Sequence, residues 1–213
     1  VGSAQGTTTV AASGLILHGS DSTSGAFSQL GFVPTATQGD TSGNIDLHLK
    51  GGGLLMDSGN VTNAYTQIGH GGYGSTEGGT LEGGISITFC EPGDVTMEAG
   101  LSGNGTYALI GHGGNYWEGG RVGAISVTGA NDLTMTGGND LYSNVQIGHG
   151  GVATIGHHEG LISVDAAGDV LATGGTDTLA YVQIGHGGQN TGVFSGSSIG
   201  DSAIDVTAGG DVV

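Results

Sequence analysis

The chain reads as an all-β, right-handed, three-faced parallel β-helix, a β-solenoid with about one coil per repeat of 37–42 residues and no helices. Three observations predict it. The phrase Gln-Ile-Gly-His-Gly-Gly recurs as Gln67–Gly72, Leu109–Gly114, Gln146–Gly151 and Gln183–Gly188, with a worn copy at Gln29–Phe32. Near-constant spacing of one phrase marks a repeat protein in which each unit leans on its neighbours. Between the copies, short segments alternate apolar and polar residues with period two, the pattern of a half-buried strand. No stretch carries a 3.6-residue apolar period long enough for a helix.

Each repeat holds three such segments. Strand A is Ile45-Asp-Leu47, Ile85-Ser-Ile87, Ile125-Ser-Val127, Ile162-Ser-Val164 and Ile204-Asp-Val206, with Thr8-Thr-Val10 as a weaker first copy. Strand B follows within a few residues, at Leu15, Leu54, Val95, Leu133, Val170 and Val212. The Gly93-Asp94, Asn131-Asp132, Gly168-Asp169 and Gly210-Asp211 pairs before four of these copies supply the turn chemistry of a sharp corner. Strand C is the leading phrase, with Val182, Ile184 and His186 facing one way and Tyr181, Gln183 and Gly185 the other. A, B and C do not resemble one another, so the repeat is one coil and not two. Like strands of successive coils then stack ~4.8 Å apart, and residues 1–213 form a single domain of five to six coils, ~27 Å tall. Parallel strands joined by crossovers are overwhelmingly right-handed. Ile85, Ile87, Ile125, Val127, Ile162, Val164 and the isoleucines of strand C should line the interior. The loop after strand C, long at residues 73–84 and 115–124, absorbs most of the variation in repeat length.

Composition supports a core built from many short strands. Of 213 residues 49 are glycine and 2 are proline, without a Gly-X-Y period. An apolar fraction of 36 % and a mean hydropathy of +0.07 stand against disorder. The net charge is −17, and Lys50 and Arg121 are the only fixed positive charges. Nothing can neutralise a phosphate backbone, which excludes nucleic acid, and anionic membrane surfaces are disfavoured for the same reason. No apolar run is long enough to insert in a membrane. Cys90 stands alone, so no disulfide closes within the chain.

Segments such as Ile125-Ser-Val-Thr-Gly-Ala-Asn-Asp-Leu-Thr-Met135 and Ile204-Asp-Val-Thr-Ala-Gly-Gly-Asp-Val-Val213 resemble the repeats of filamentous-haemagglutinin-like and autotransporter-passenger bacterial adhesins. The resemblance covers nearly the whole chain. It implies a secreted, cell-surface location and a stalk that is a right-handed parallel β-helix.

Several residues are candidates for more than scaffolding. His70, His112, His149 and His186 occupy one place in successive coils and should form a ladder. Neutral imidazoles can hold a transition metal, but no carboxylate or Cys completes a shell, and a structural ladder is the favoured reading. Gln67, Gln146 and Gln183 should stack as amide ladders along the rod. Calcium prefers oxygen ligands, which makes the corner residues Asp94, Asp132, Asp169 and Asp211 candidates. The Gly-Gly-x-Gly-x-Asp pattern of calcium-roll repeats is absent, and turn chemistry is the default there. His157-His158 reads as an irregular surface insertion. Strand B positions Ile16, Leu55, Thr96, Thr134 and Leu171 are too mixed for an ice-binding threonine array.

No Ser-His-Asp or Cys-His set is visible, and the carboxylates are dispersed. Glu77, Glu82 and Glu118 in the loops after strand C are the acids to keep in view for glycan cleavage. Tyr116, Trp117 and Glu118 are the surface cluster for a ligand. The expectation is a non-enzymatic, cofactor-free extracellular fibre protein, structural or adhesive, with copies of itself head to tail as partners. A glycan-binding or glycan-cleaving module is the alternative, with host or matrix glycans as the ligand. Neither end looks capped, so the chain reads as a segment or subunit of a longer fibre in which residues 1–6 supply the missing sixth strand C.

Overall fold

The computed structural model describes residues 4–33, 39–74, 79–189, 198–199 and 202–213. Every strand among them pairs in parallel, and none of them is helical. The chain winds as a β-solenoid of about five turns.

Strand A returns six times, as Thr8–Ala12, Ile45–Lys50, Ile85–Glu91, Ile125–Ala130, Ile162–Ala166 and Ile204–Ala208. Its ladder runs Thr8, Ile45, Ile85, Ile125, Ile162, Ile204, so one repeat makes one coil. Strand B forms a five-stranded sheet, Leu15–His18, Leu54–Asp57, Val95–Glu98, Leu133–Thr136 and Val170–Thr173. Val212 adds an isolated bridge to Val170. Strand C forms another, Phe27–Leu30, Tyr65–Ile68, Tyr107–Ile110, Asn144–Ile147 and Val182–Ile184.

A fourth, narrow ladder joins these three faces. Its strands are Ala4–Gln5, Thr41–Ser42, Leu81–Glu82, Arg121–Val122, His157–Glu159 and Ser198–Ile199. The loop after strand C therefore does more than absorb length, since it carries a strand back to the sheet system. Strands of two or three residues have no room for a period-two signal, and these six copies share no common residue type.

Alternation sorts each A and B strand. Ile45, Leu47 and Leu49 are buried while His48 and Lys50 are exposed, and the same holds at Ile85, Ile87 and Phe89. Inward residues of A, B and C form one continuous apolar core along the rod. Each buried Ile, Leu, Val or Met stabilises the fold by about 1.5–3 kcal/mol relative to leaving it in water. Coils meet closely at the Gly-His corner. A Cβ on Gly111 (φ 157°) would lie 2.0 Å from the carbonyl oxygen of Gly148 in the next coil, which explains why glycine recurs there.

Candidate functional site

The corner that ends strand C places the four histidines in one column. Ring centroids of His70 and His112 are 4.8 Å apart, those of His112 and His149 4.9 Å, and those of His149 and His186 4.9 Å. Phe32 of the worn copy stacks on His70 at 5.1 Å. The backbone N–H of His70 donates to Nδ1 of His112, and the pattern repeats from His112 to His149 and from His149 to His186. Phe32 donates to His70 in the same way.

On the other side of each ring Nε2 lies 2.8 Å from a carbonyl: Gly43 for His70, Gly83 for His112, Gly123 for His149 and Gly160 for His186. A nitrogen that accepts an N–H bond carries no proton, so Nε2 carries it and donates to the carbonyl. Every ring is thus the neutral Nε2–H tautomer. Each one closes its own coil, from the end of strand C to the glycine just before strand A, and ties that coil to the one before.

With both nitrogens engaged, no lone pair is left for a metal ion. Burial, then the neighbouring His70, pushes the His112 pKa down to about 3, against the weaker upward pull of the Gly83 carbonyl. Burial likewise lowers His70, His149 and His186.

Strand C differs from A and B in being buried on both faces. Its outer side chains lie under the segment that follows it. Tyr65 and Tyr107 stack there at 4.6 Å, with Phe27 on Tyr65 at 4.8 Å. The glutamines do not form an amide ladder. Leu109 stands in register between Gln67 and Gln146, which breaks the column. Their amides satisfy backbone carbonyls of the next corner instead: Gln67 Nε2 donates to Gly111 at 3.0 Å, and Gln146 Nε2 donates to Gly185 at 2.8 Å and Gly187 at 3.0 Å. Gln183 Nε2 reaches the carbonyl of His186 at 3.0 Å.

The cluster Tyr116, Trp117, Glu118 is split by the fold. Trp117 is 2 % exposed, so it cannot touch a surface ligand. Tyr116 faces solvent and Glu118 is half-buried, bridged to Ile155 of the next coil. The carbonyl of Trp117 is committed to Arg121, whose buried guanidinium donates through Nη2 to it at 2.8 Å and through Nη1 to Gly119 at 2.8 Å and Ile155 at 3.3 Å. Nη1 also lies 3.3 Å from Nε2 of His158. Burial lowers the Arg121 pKa to about 9, which leaves it charged at neutral pH. Its charge is met by carbonyl dipoles and staples the loop to the following coil.

His157-His158 is part of the narrow ladder and not a surface insertion. His158 is buried, its pKa pushed down to about 3 by burial and then by Arg121, while His157 pairs with Glu159 at 2.7 Å. A two-residue strand hides such roles from pattern reading, because either face of it could be the inner one.

The corner aspartates bond one another's backbone. Asp169 N–H donates to Asp132 Oδ1 and Asp211 N–H to Asp169 Oδ1, both at 2.8 Å, and Asp132 N–H reaches Asp94 Oδ1 at 3.3 Å. Among the described residues no group of three or more His, Cys, Asp or Glu side chains is arranged to hold a metal ion. Glu82 is exposed on the narrow ladder, and Glu77 lies outside the described residues. Sequence reading overlooked Tyr73 and Tyr142, which stand beside Tyr116. Their convergence depends on how coils are stacked, and only the aromatic residue type hinted at it. No family profile, curated protein or solved structure matches the chain.

Proposed function

We propose that this chain is a stalk segment of a secreted cell-surface fibre, structural or adhesive and non-catalytic, whose solenoid continues or stacks end to end into a filament. The observation that carries the reading is the open coil at Ile204–Ala208. Ile204 is in register with Ile162, yet it is 51 % exposed where Ile162 is fully buried. At the opposite end Val10, Leu15, Leu17 and Leu30 are only partly buried against the core.

A further coil on either end, from the same chain or from a second copy, would cover these residues. It would also take up the free N–H and C=O groups of the edge strands. Stacking of copies is a heterologous contact that does not close, so it gives a filament. With a net charge of −17 the copies repel, and screening by salt or divalent cations should strengthen assembly.

Electron microscopy and sedimentation of the purified chain, at rising concentration in low and in high salt, test this. Rods should lengthen with both variables and diffract at ~4.8 Å along the axis, and Ile204→Asp should block the lengthening. A chain that stays monomeric at high concentration in both salts would end the stacking of copies and leave only continuation within one chain.

A further inference from the structure

Two surface positions recur in successive coils with a left-handed backbone. The first, at the corner before strand C, is held by Gly25 (φ 71°), Asn63 (60°), Gly105 (73°), Tyr142 (63°) and Leu179 (66°). The ladder bonds Gly25 N–H to Thr62, Asn63 N–H to Asn104, Gly105 N–H to Leu141 and Tyr142 N–H to Thr178 align them. The second, just after strand C, is held by Gly74 (φ 69°), Tyr116 (61°) and Ala153 (53°), aligned through Gly74 N–H to Asn115 and Tyr116 N–H to Val152. Glycine and asparagine suit this conformation, and a bulky aromatic does not. An outlier kept where a neighbouring coil uses the easy residue points to a task for that side chain.

The two strained tyrosines belong to one patch. The rings of Tyr73 and Tyr116 meet edge to face with centroids 5.6 Å apart, and they are 40 % and 39 % exposed. Tyr142, half-buried, sits on the adjoining corner. Asn144 holds the two segments together, its Nδ2 donating to the Tyr142 carbonyl at 2.9 Å and to Asn115 Oδ1 at 3.4 Å. The Tyr116 phenol pKa is raised by burial first and then by the nearby phenols of Tyr73 and Tyr142. Among the described residues none of these hydroxyls has a hydrogen-bond partner in the chain.

We propose that Tyr73, Tyr116 and Tyr142 form a binding platform for a neutral polysaccharide, the C–H face of a hexopyranose lying on the Tyr116 ring and its hydroxyls bonding the phenols. Tyrosine supplies large, rigid, amphipathic contact area at low entropic cost, and a sugar ring needs both an apolar face and free polar partners. The net charge of −17 selects among sugars, since it repels sulfated and uronic acid polymers and leaves uncharged ones.

Calorimetric titration with cellohexaose, maltohexaose and chitohexaose tests the platform, using a polygalacturonate oligomer as the anionic control. At least one neutral hexamer should bind saturably and the control should not. Tyr116→Ala and Tyr73→Ala should each weaken binding tenfold or more. Tyr116→Gly and Tyr142→Gly, which install the residues of an adjacent aligned coil (Gly74 and Gly105), should weaken binding yet raise the melting temperature, because they relieve the backbone. Three results would overturn the proposal: no saturable binding to any neutral hexamer, binding untouched by Tyr116→Ala, or a melting temperature lowered by Tyr116→Gly, which would make the tyrosines packing residues. Filament formation is read separately, so loss of either property leaves the other standing.

Discussion

The apolar interior and the layer outside strand C are built by opposite rules. Inside, any of Ile, Leu, Val or Met serves at a ladder position, as Leu54, Val95, Leu133 and Val170 do on strand B. Volume and alternation suffice there, because apolar contact has no direction. Around strand C, by contrast, His112 bonds the His70 amide and the Gly83 carbonyl, and Gln146 bonds Gly185 and Gly187. Each polar side chain there has particular partners in its own and neighbouring coils. The interior sets that the chain coils, and the polar layer sets where each coil closes and how it registers on the next.

The comparison can be broken hardest from the inside. Ile125→Asp places an unpaired carboxylate at a fully buried ladder position, a cost of several kcal/mol that should abolish the folded circular-dichroism signal at neutral pH.

Acid attacks the polar layer next. The His112 pKa is about 3 in the folded chain and near 6.5 when unfolded. Between those values the unfolded chain binds the extra proton, so stability is full above about pH 6.5 and is lost as pH falls toward 3. The loss is about 1.4 kcal/mol per pH unit for each histidine so shifted. Urea midpoints measured from pH 7 to pH 4 should fall steadily, and more shallowly in His112→Phe.

That variant sharpens the contrast at neutral pH. Phe fills the column, as Phe32 does above His70, but leaves the His70 N–H and the Gly83 carbonyl unpaired. About 2–4 kcal/mol should be lost in urea unfolding, whereas the apolar swap Met97→Leu should cost less than about 1.5 kcal/mol. Equal losses in both would erase the distinction between the two regions. Gln146→Ala falls between the two, at about 1–3 kcal/mol, because the amide donor to the Gly185 and Gly187 carbonyls is removed.

Much of the fold was legible from the sequence. Ile45, Ile85, Ile125, Ile162 and Ile204 align at repeat spacing, and they pair in that register in the sheet. The candidate site was legible only in part. His70, His112, His149 and His186 could be placed in one column from spacing alone, but their tautomer depends on Gly43, Gly83, Gly123 and Gly160, which lie 26–29 residues earlier in the chain. Trp117 looked like a surface residue because a Gly-rich polar loop surrounds it. The fold nevertheless leaves it 2 % exposed, and its carbonyl is held by the Arg121 guanidinium and the Ile155 N–H of the next coil.

Sequence alone determined the period, the absence of a helical pattern and the inward faces of strands A and B. These follow from local alternation and from repetition, which need no knowledge of what lies across the coil. Only the tertiary structure decided the fourth ladder, the second buried layer, the burial of Arg121 and His158, and the meeting of Tyr73, Tyr116 and Tyr142. Each of these depends on which carbonyl, ring or loop of another coil comes within a few ångströms, and stacking determines that where linear pattern does not.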